Sequence, residues 1–167
     1  YHLTQEAIAT NVAVTVAPGA SAAITALVLS GLPTDRFAFE GFLPRKTGEK
    51  AKTLTALATE TRTLIFYESP HRTADTLRAM AAAFGPDRSA AVARELTKLH
   101  EEIARGSLSE LIDWAESKTL KGEIVIVVGP AEQAAPATFK DALAQVQILV
   151  ADGTRLKAAT RQVAQET

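Results

Sequence analysis

Cysteine is absent, which excludes disulfides, thiolate metal sites and thiol nucleophiles and fits a reducing compartment. Histidine is scarce: His2, His71 and His100 are too scattered for zinc-ligand spacing, and no paired-histidine helical motif occurs, so no metal is expected. Neither sign of charge is in excess. With 18 Lys and Arg against 19 Asp and Glu, the net charge of −1 offers no bulk field toward a polyanion, and any nucleic-acid contact must use local basic patches. No run approaches a membrane span, and no basic stretch followed by an apolar core opens the chain, so a soluble, cytoplasmic protein with no membrane partner is expected. Neither G-x-G-x-x-G nor a Walker A segment occurs, which leaves a conventional dinucleotide or P-loop site unsupported. What is present is an apolar fraction of 47% in 167 residues, enough for one ordinary domain plus an appendage.

Strand and helix signals alternate along most of the chain. Residues 3–9 read as the end of a helix and 12–16, rich in valine, as a strand. After Pro18-Gly19, Ile24, Leu27 and Val28 keep helical spacing up to Gly31-Leu32-Pro33. Residues 37–40 suit a short strand, with a loop over 41–46. Thr47 can cap a helix whose inward face holds Ala51, Leu54, Leu57 and Ala58. Residues 61–67 form the next strand, followed by a helix over 69–84 with Ser69 at the N-cap, Pro70 first in the helix, and a stop at Gly85-Pro86. A strand follows at 90–94. Ser107 and Glu110 make an S-x-x-E capping box for a helix over 108–118. The β-branched run at 124–128 reads as a central strand buried on both faces. This alternation predicts an α/β sheet. Residues 130–136 read as a linker. Beyond it, Phe139, Leu143, Val146 and Val150 share a helical face, and Thr154 can cap a second helix after the Asp152-Gly153 turn.

Chemistry is expected where loops gather at one sheet edge: Pro18-Gly19-Ala20-Ser21-Ala22, Glu68-Ser69-Pro70, Glu95-Leu96-Thr97-Lys98 and Lys121-Gly122-Glu123. Ligands in open α/β sheets sit beyond strand ends, where helix N-termini offer free N–H groups. The last of these loops precedes its strand, so that strand must run antiparallel. Gly19, Ala20, Ser21 and Ala22 permit close backbone approach to a ligand, or simply a tight turn. His71 and Arg72 fall in a first helical turn, where a cation opposes the helix dipole. Arg72 therefore points to a bound anion or to a carboxylate partner. Arg94, Glu95, Lys98, Glu101 and Glu102 form a charged cluster around His100, suited to proton transfer or to an exposed ion-pair network. Arg36, Arg45, Lys46, Lys50 and Lys52 form a basic cluster suited to phosphates, and Phe42 suits either a base stack or the core.

The segments Pro18-Gly19-Ala20-Ser21-Ala22, Ser30-Gly31-Leu32-Pro33, Phe39-Glu40-Gly41-Phe42-Leu43-Pro44, Tyr67-Glu68-Ser69-Pro70-His71-Arg72, Arg94-Glu95-Leu96-Thr97-Lys98 and Lys121-Gly122-Glu123 stand in one order. In that order they resemble the C-terminal part of the ribosomal small-subunit RNA cytidine 2'-O-methyltransferases, within the tetrapyrrole-methylase-like class. The resemblance covers nearly everything from residue 1 to 129, and more loosely the tail from 139. It implies a mixed-sheet αβα C-terminal domain of the tetrapyrrole methylase fold with a short helical C-terminal extension. The implied divisions are 1–17 as the end of a missing N-terminal domain, 18–130 as the methyltransferase domain, and 131–167 as linker and helical extension.

The resemblance also implies S-adenosylmethionine as methyl donor, small-subunit ribosomal RNA as substrate, and a homodimer. Donor contacts are implied at Ser21, Ala22, Glu68, Leu96, Gly122 and Glu123. Tetrapyrrole methylases typically carry methionine where this chain has Glu68, which favours the RNA-modifying branch. The family's glycine-rich and G-T-P type loops are not in this sequence, so the isolated chain is expected to be inactive, with weak or absent donor affinity. From chemistry, Arg94, Glu95 and Lys98 are the catalytic candidates, since the ribose hydroxyl must be aligned and its proton handled. Arg45, Lys46, His71 and Arg72 are the RNA-contact candidates. Two other readings stand beside this one, a tetrapyrrole methyltransferase and a non-catalytic dimerisation or RNA-binding module.

Overall fold

The computed structural model describes residues 2–132 and 139–166. It divides into two compact units, Tyr1–Ala131 and Glu132–Thr167.

In the first unit five strands form one mixed sheet in the order β1-β2-β5-β3-β4. They are β1 Phe37–Phe42, β2 Thr63–Glu68, β3 Ser89–Arg94, β4 Glu102–Ser107 and β5 Ile124–Val128. The run Ile124-Val125-Ile126-Val127-Val128 occupies the centre and is buried throughout, as its unbroken β-branched character requires. It runs antiparallel to both β2 and β3, while β1 and β2 are parallel. Strand alternation then divides the side chains between two faces. On one face Leu64, Phe66, Val92, Ile126 and Val128 pack against Leu54 of α3 (Thr47–Leu57), Leu77 and Met80 of α4 (Thr73–Phe84), and Leu108 and Leu111 of α5 (Leu108–Glu116). On the other, Ile65, Ala93, Val125 and Val127 pack against Ala23, Ala26 and Leu27 of α2 (Ala22–Ser30). The fold is α/β, with helices on both faces of a mixed sheet.

Local chemistry sets the helix ends. Ser107 and Glu110 form the expected capping box, each side chain meeting the other residue's backbone N–H. Gly31, at φ +75°, closes α2, whose last turn is also capped by Arg105 donating from Nε to the Leu29 carbonyl at 3.0 Å.

Several expectations are corrected. Residues 12–16 form no strand: Val12, Val14 and Val16 lie 58%, 49% and 81% exposed, and a strand with no neighbour leaves its ladder groups unpaired. Helix α1 (His2–Ala9) stands before them. Strand β1 runs two residues further than expected, through Gly41 and Phe42, because a register shift between Phe39 and Gly41 absorbs Glu40 as an extra residue. Lys46, not Thr47, is the N-cap of α3, without a side-chain cap bond. Ala51 is exposed, and Lys50 is buried beside Leu54 instead. Before α4 stands a separate 3-10 turn, Pro70–Arg72, and Ser69 caps it without a side-chain bond. Helix α5 ends at Glu116 rather than 118. Strand β4 was not anticipated, since Arg105 and Gly106 mask the alternation of an edge strand that pairs only with β3.

The second unit contains α6 (Phe139–Ala151) and α7 (Leu156–Glu166), with Gly153 at φ +92° in the turn and the Thr154 N–H donating to the Leu149 carbonyl. Ala159 and Val163 are buried. Most of the expected linker at 130–136 and the side chain of Phe139 lie outside the described residues.

Candidate active site

The carboxyl ends of β2 and β3 and the start of β5 meet at one edge of the sheet. Glu68 and Arg94 both stand opposite Ile124 in the register, so the three form one row. Helix α2 lies with its C-terminal end at the far edge: Leu32, just past it, is near Gly129, and the Pro33 carbonyl accepts from Thr63 Oγ1 at 2.7 Å. The N-terminus of α2 is therefore directed toward the edge that carries the row. There Ser21 and Ala22 are exposed, and Ser21 Oγ accepts only a long bond, 3.5 Å, from the Ile24 N–H. The first N–H groups of the helix remain open to an anion or polar ligand.

The loop after β3 is strained and pinned. Glu95 and Thr97 adopt positive φ, +51° and +64°, which is rare for a carboxylate-bearing residue and rarer for a β-branched one. The Glu95 N–H donates to the Glu123 carbonyl, and the Glu123 N–H donates back to Glu95 Oε1, both at 3.0 Å. Lys98 Nζ reaches Glu95 Oε1 at 2.8 Å and Glu123 Oε2 at 3.1 Å. Gly122, at φ +88°, lets this happen: a Cβ there would overlap the Glu95 carboxylate. The Lys98 ammonium, followed by the Glu123 N–H, holds the Glu95 carboxyl below its ordinary range. The two carboxylates raise Lys98 in turn, Glu95 more than Glu123. Leu96, half-buried, packs on the α2 side of the sheet.

Of the expected catalytic set, Glu95 and Lys98 are thus in contact, but Arg94 is turned elsewhere. Its guanidinium bonds Glu102 Oε2 at 3.1 and 3.2 Å on the α5 side of the sheet. Glu102 also accepts from Trp114 Nε1 at 3.2 Å and Lys118 Nζ at 2.6 Å, and Lys118 first, then Trp114, lowers its carboxyl.

Glu68 has its side chain on the same side as Arg94. Its carboxylate is almost wholly buried and accepts from the Ser69 N–H at 2.8 Å and Thr76 Oγ1 at 2.7 Å, with Arg72 Nη2 at 3.5 Å. Arg72 therefore has the carboxylate partner, and it also donates to the Leu43 and Pro44 carbonyls, both at 3.3 Å. Glu68, expected at a donor contact, is thus buried as a whole residue. Lys50, buried, donates to Thr76 Oγ1 at 3.4 Å, a link in this chain that sequence reading placed only in the basic cluster. Its position four residues before Leu54, on the same helical face, was the available signal. Arg45, Lys50 and Arg72 line a cleft of about 740 Å³ between α3 and α4. His71 and Arg45 are exposed, and Lys46 pairs on the surface with Glu49 at 3.2 Å. Among the described residues no cluster suited to holding a metal ion occurs, and no helix is long and apolar enough to cross a membrane.

Comparison with known proteins gives the class of this mixed sheet: residues 1–112 match the Tetrapyrrole (Corrin/Porphyrin) Methylases, and the chain belongs to that family. Within it, the chain is similar to "Ribosomal RNA small subunit methyltransferase I" of Mycobacterium tuberculosis (strain ATCC 25618 / H37Rv), at 48% identity over 98% of this chain and 56% of the relative. The chain thus spans about half the length of that curated relative. Among solved structures, the methyltransferase CobJ aligns with TM-score 0.56 and 20% identity, covering 80% of this chain and 58% of that one. A uroporphyrin-III C-methyltransferase from Thermus thermophilus, complexed with S-adenyl homocysteine, aligns with TM-score 0.50 and 19% identity over 77% and 57% of the two chains. Identities this low speak for the fold only.

Proposed function

We propose that this chain is part of an S-adenosylmethionine-dependent methyltransferase that modifies a cytidine 2'-hydroxyl of small-subunit ribosomal RNA, acting in the cytoplasm as a homodimer. The observation that carries the reading is the Glu95-Thr97 loop, held in two positive-φ residues against Gly122 and Glu123 at the sheet edge. Strain of this kind persists where surrounding structure over-determines it, and it clusters at ligand sites. The name of the mycobacterial relative supports a ribosomal RNA substrate, and the family supports methyl transfer.

The edge suits the donor. Exposed Ser21 and Ala22 at the start of α2, half-buried Leu96 and the Gly122-Glu123 turn border this edge, with Glu68 buried behind them at the end of β2. S-adenosylmethionine, held at this edge, would supply an electrophilic sulfonium methyl for the ribose oxygen and leave as the neutral thioether. Lys98 is assigned to the oxygen that loses its proton, stabilising negative charge there. Glu95, held low by Lys98, orients that ammonium, accepts a hydrogen bond from the hydroxyl, takes its proton as the oxygen–methyl bond forms and passes it to solvent. Arg94 acts from the opposite face, fixing the end of β3 through Glu102. Arg45, Lys46, His71 and Arg72 are assigned to the RNA. In the case of Arg72, the shared Glu68 and backbone contacts mean that it positions the 43–46 loop as well.

Glu95→Gln and Lys98→Ala, made in the protein at the full length of its curated relatives, should each lower turnover about a hundredfold or more while changing donor affinity little. Unchanged turnover in both variants overturns the assignment.

A further inference from the structure

Strand β1 carries three aromatic side chains on one face. Phe37 stands opposite Thr63, Phe39 opposite Ile65 and Phe42 opposite Tyr67, all on the α2 side of the sheet. In a regular strand, residues three apart point to opposite faces. The extra residue Glu40, with Gly41 at φ +67°, reverses that parity and brings Phe42 back beside Phe39. Both rings meet Tyr67 edge-on, with centroids at 4.8 and 5.6 Å and interplanar angles of 69° and 62°. Neither is a core residue: Phe39 is 52% and Phe42 65% exposed. Edge-on packing against Tyr67 holds the rings while leaving ring surface open to solvent, the arrangement by which sheet aromatics stack unpaired bases.

Position and charge select the occupant. Phe42 and Tyr67 stand one register step inside the row formed by Glu68 and Ile124, on the same face as Leu96 and α2. Directly after Phe42 the chain turns through Leu43 and Pro44 into exposed Arg45, which also borders the α3–α4 cleft, and Lys46, which shares its charge with Glu49, in a protein whose overall charge is −1. An aromatic surface followed in the chain by an exposed arginine suits a base attached to a phosphate backbone better than it suits a purely apolar partner. We propose that Phe39, Phe42 and Tyr67 form a stacking platform for an unpaired base of the RNA, next to the edge where the donor is assigned. The inference rests on the RNA reading above and adds to it a specific subsite.

The test uses the protein at the full length of its curated relatives, with a single-stranded RNA carrying 2-aminopurine, followed by affinity and by quenching of the probe. Phe42→Ala should weaken binding about tenfold and abolish the quenching, Phe42→Trp should retain both, and the affinity for S-adenosylmethionine should stay unchanged. Phe42 is exposed, so the alanine variant keeps the fold, and its thermal melt checks this. If Phe42→Ala and Phe39→Ala leave affinity and quenching untouched while Arg45→Ala weakens binding, the platform is overturned and the RNA reading stands. If no RNA binds the wild-type protein, both fall. If Phe42→Ala instead converts a dimer to a monomer without altering RNA binding, the surface belongs to a second copy and the platform is overturned.

Discussion

One face of the sheet is sealed by α3, α4 and α5 over a core that includes Leu64, Phe66, Val92 and Ile126, whereas on the other α2 is the packed helix and Phe37, Phe39 and Phe42 stand in solvent. The polar groups follow the same division. On the sealed face Glu68, Thr76, Lys50 and Arg72 satisfy one another, as do Arg94, Glu102, Trp114 and Lys118. At the edge beside the open face, Ser21 and Ala22 are exposed, Glu95 and Thr97 are strained, and Gly122 is left without a side chain by necessity. Buried and mutually satisfied groups are concentrated on one side, exposed rings and strained backbone on the other. The same strands serve both, because alternation sends Phe66 one way and Tyr67 the other.

The contrast can be broken most severely from the sealed side. Phe66→Ala, at a fully buried position, should cost about 3–5 kcal/mol in urea-induced unfolding. Gly122→Ala should cost less, about 1–3 kcal/mol, because it places an L-residue at φ +88° and displaces Glu95. Ser107→Ala, which removes the α5 cap on the sealed side, should cost about 1 kcal/mol. Phe42→Ala should change unfolding by no more than about 0.5 kcal/mol, the smallest mutational effect, despite removing a large apolar ring. Equal losses at Phe66 and Phe42 would erase the distinction between the faces.

Acid titration sharpens it further. The Glu95 carboxyl is held below its ordinary value in the folded protein, so its contribution is present above the usual carboxylate pKa of 4.5 and disappears as pH falls through the lowered value. The difference in melting temperature between wild type and Glu95→Gln should therefore narrow as the pH is taken down from 6 toward 3. A difference independent of pH would mean that Lys98 does not hold Glu95 as described.

Much of the sealed face was legible in the sequence. The continuous run at 124–128 announced a central strand, the S-x-x-E pattern at Ser107 and Glu110 announced α5, and the position of Lys121-Gly122-Glu123 required an antiparallel β5. The open face was less so. Val12, Val14 and Val16 carry strand propensity, but propensity forms no ladder without a neighbour. The bulge at Glu40 depends on pairing with β2, which local sequence does not encode, so Phe42 was left between two fates. The charged cluster at 94–102 was visible as composition only. Its division into two networks follows from strand parity, which places Arg94 and Glu95 on different sides once β3 ends at Arg94.

The central claim is that the Glu95-Gly122 edge holds the methyl donor. It is tested most directly by calorimetric titration of S-adenosylmethionine into the protein at the full length of its curated relatives and into its Gly122→Ala variant. The account predicts binding to the first and at least a tenfold weaker affinity in the second, with both proteins folded. Equal affinity in the two, or no binding to the folded wild type, would contradict it.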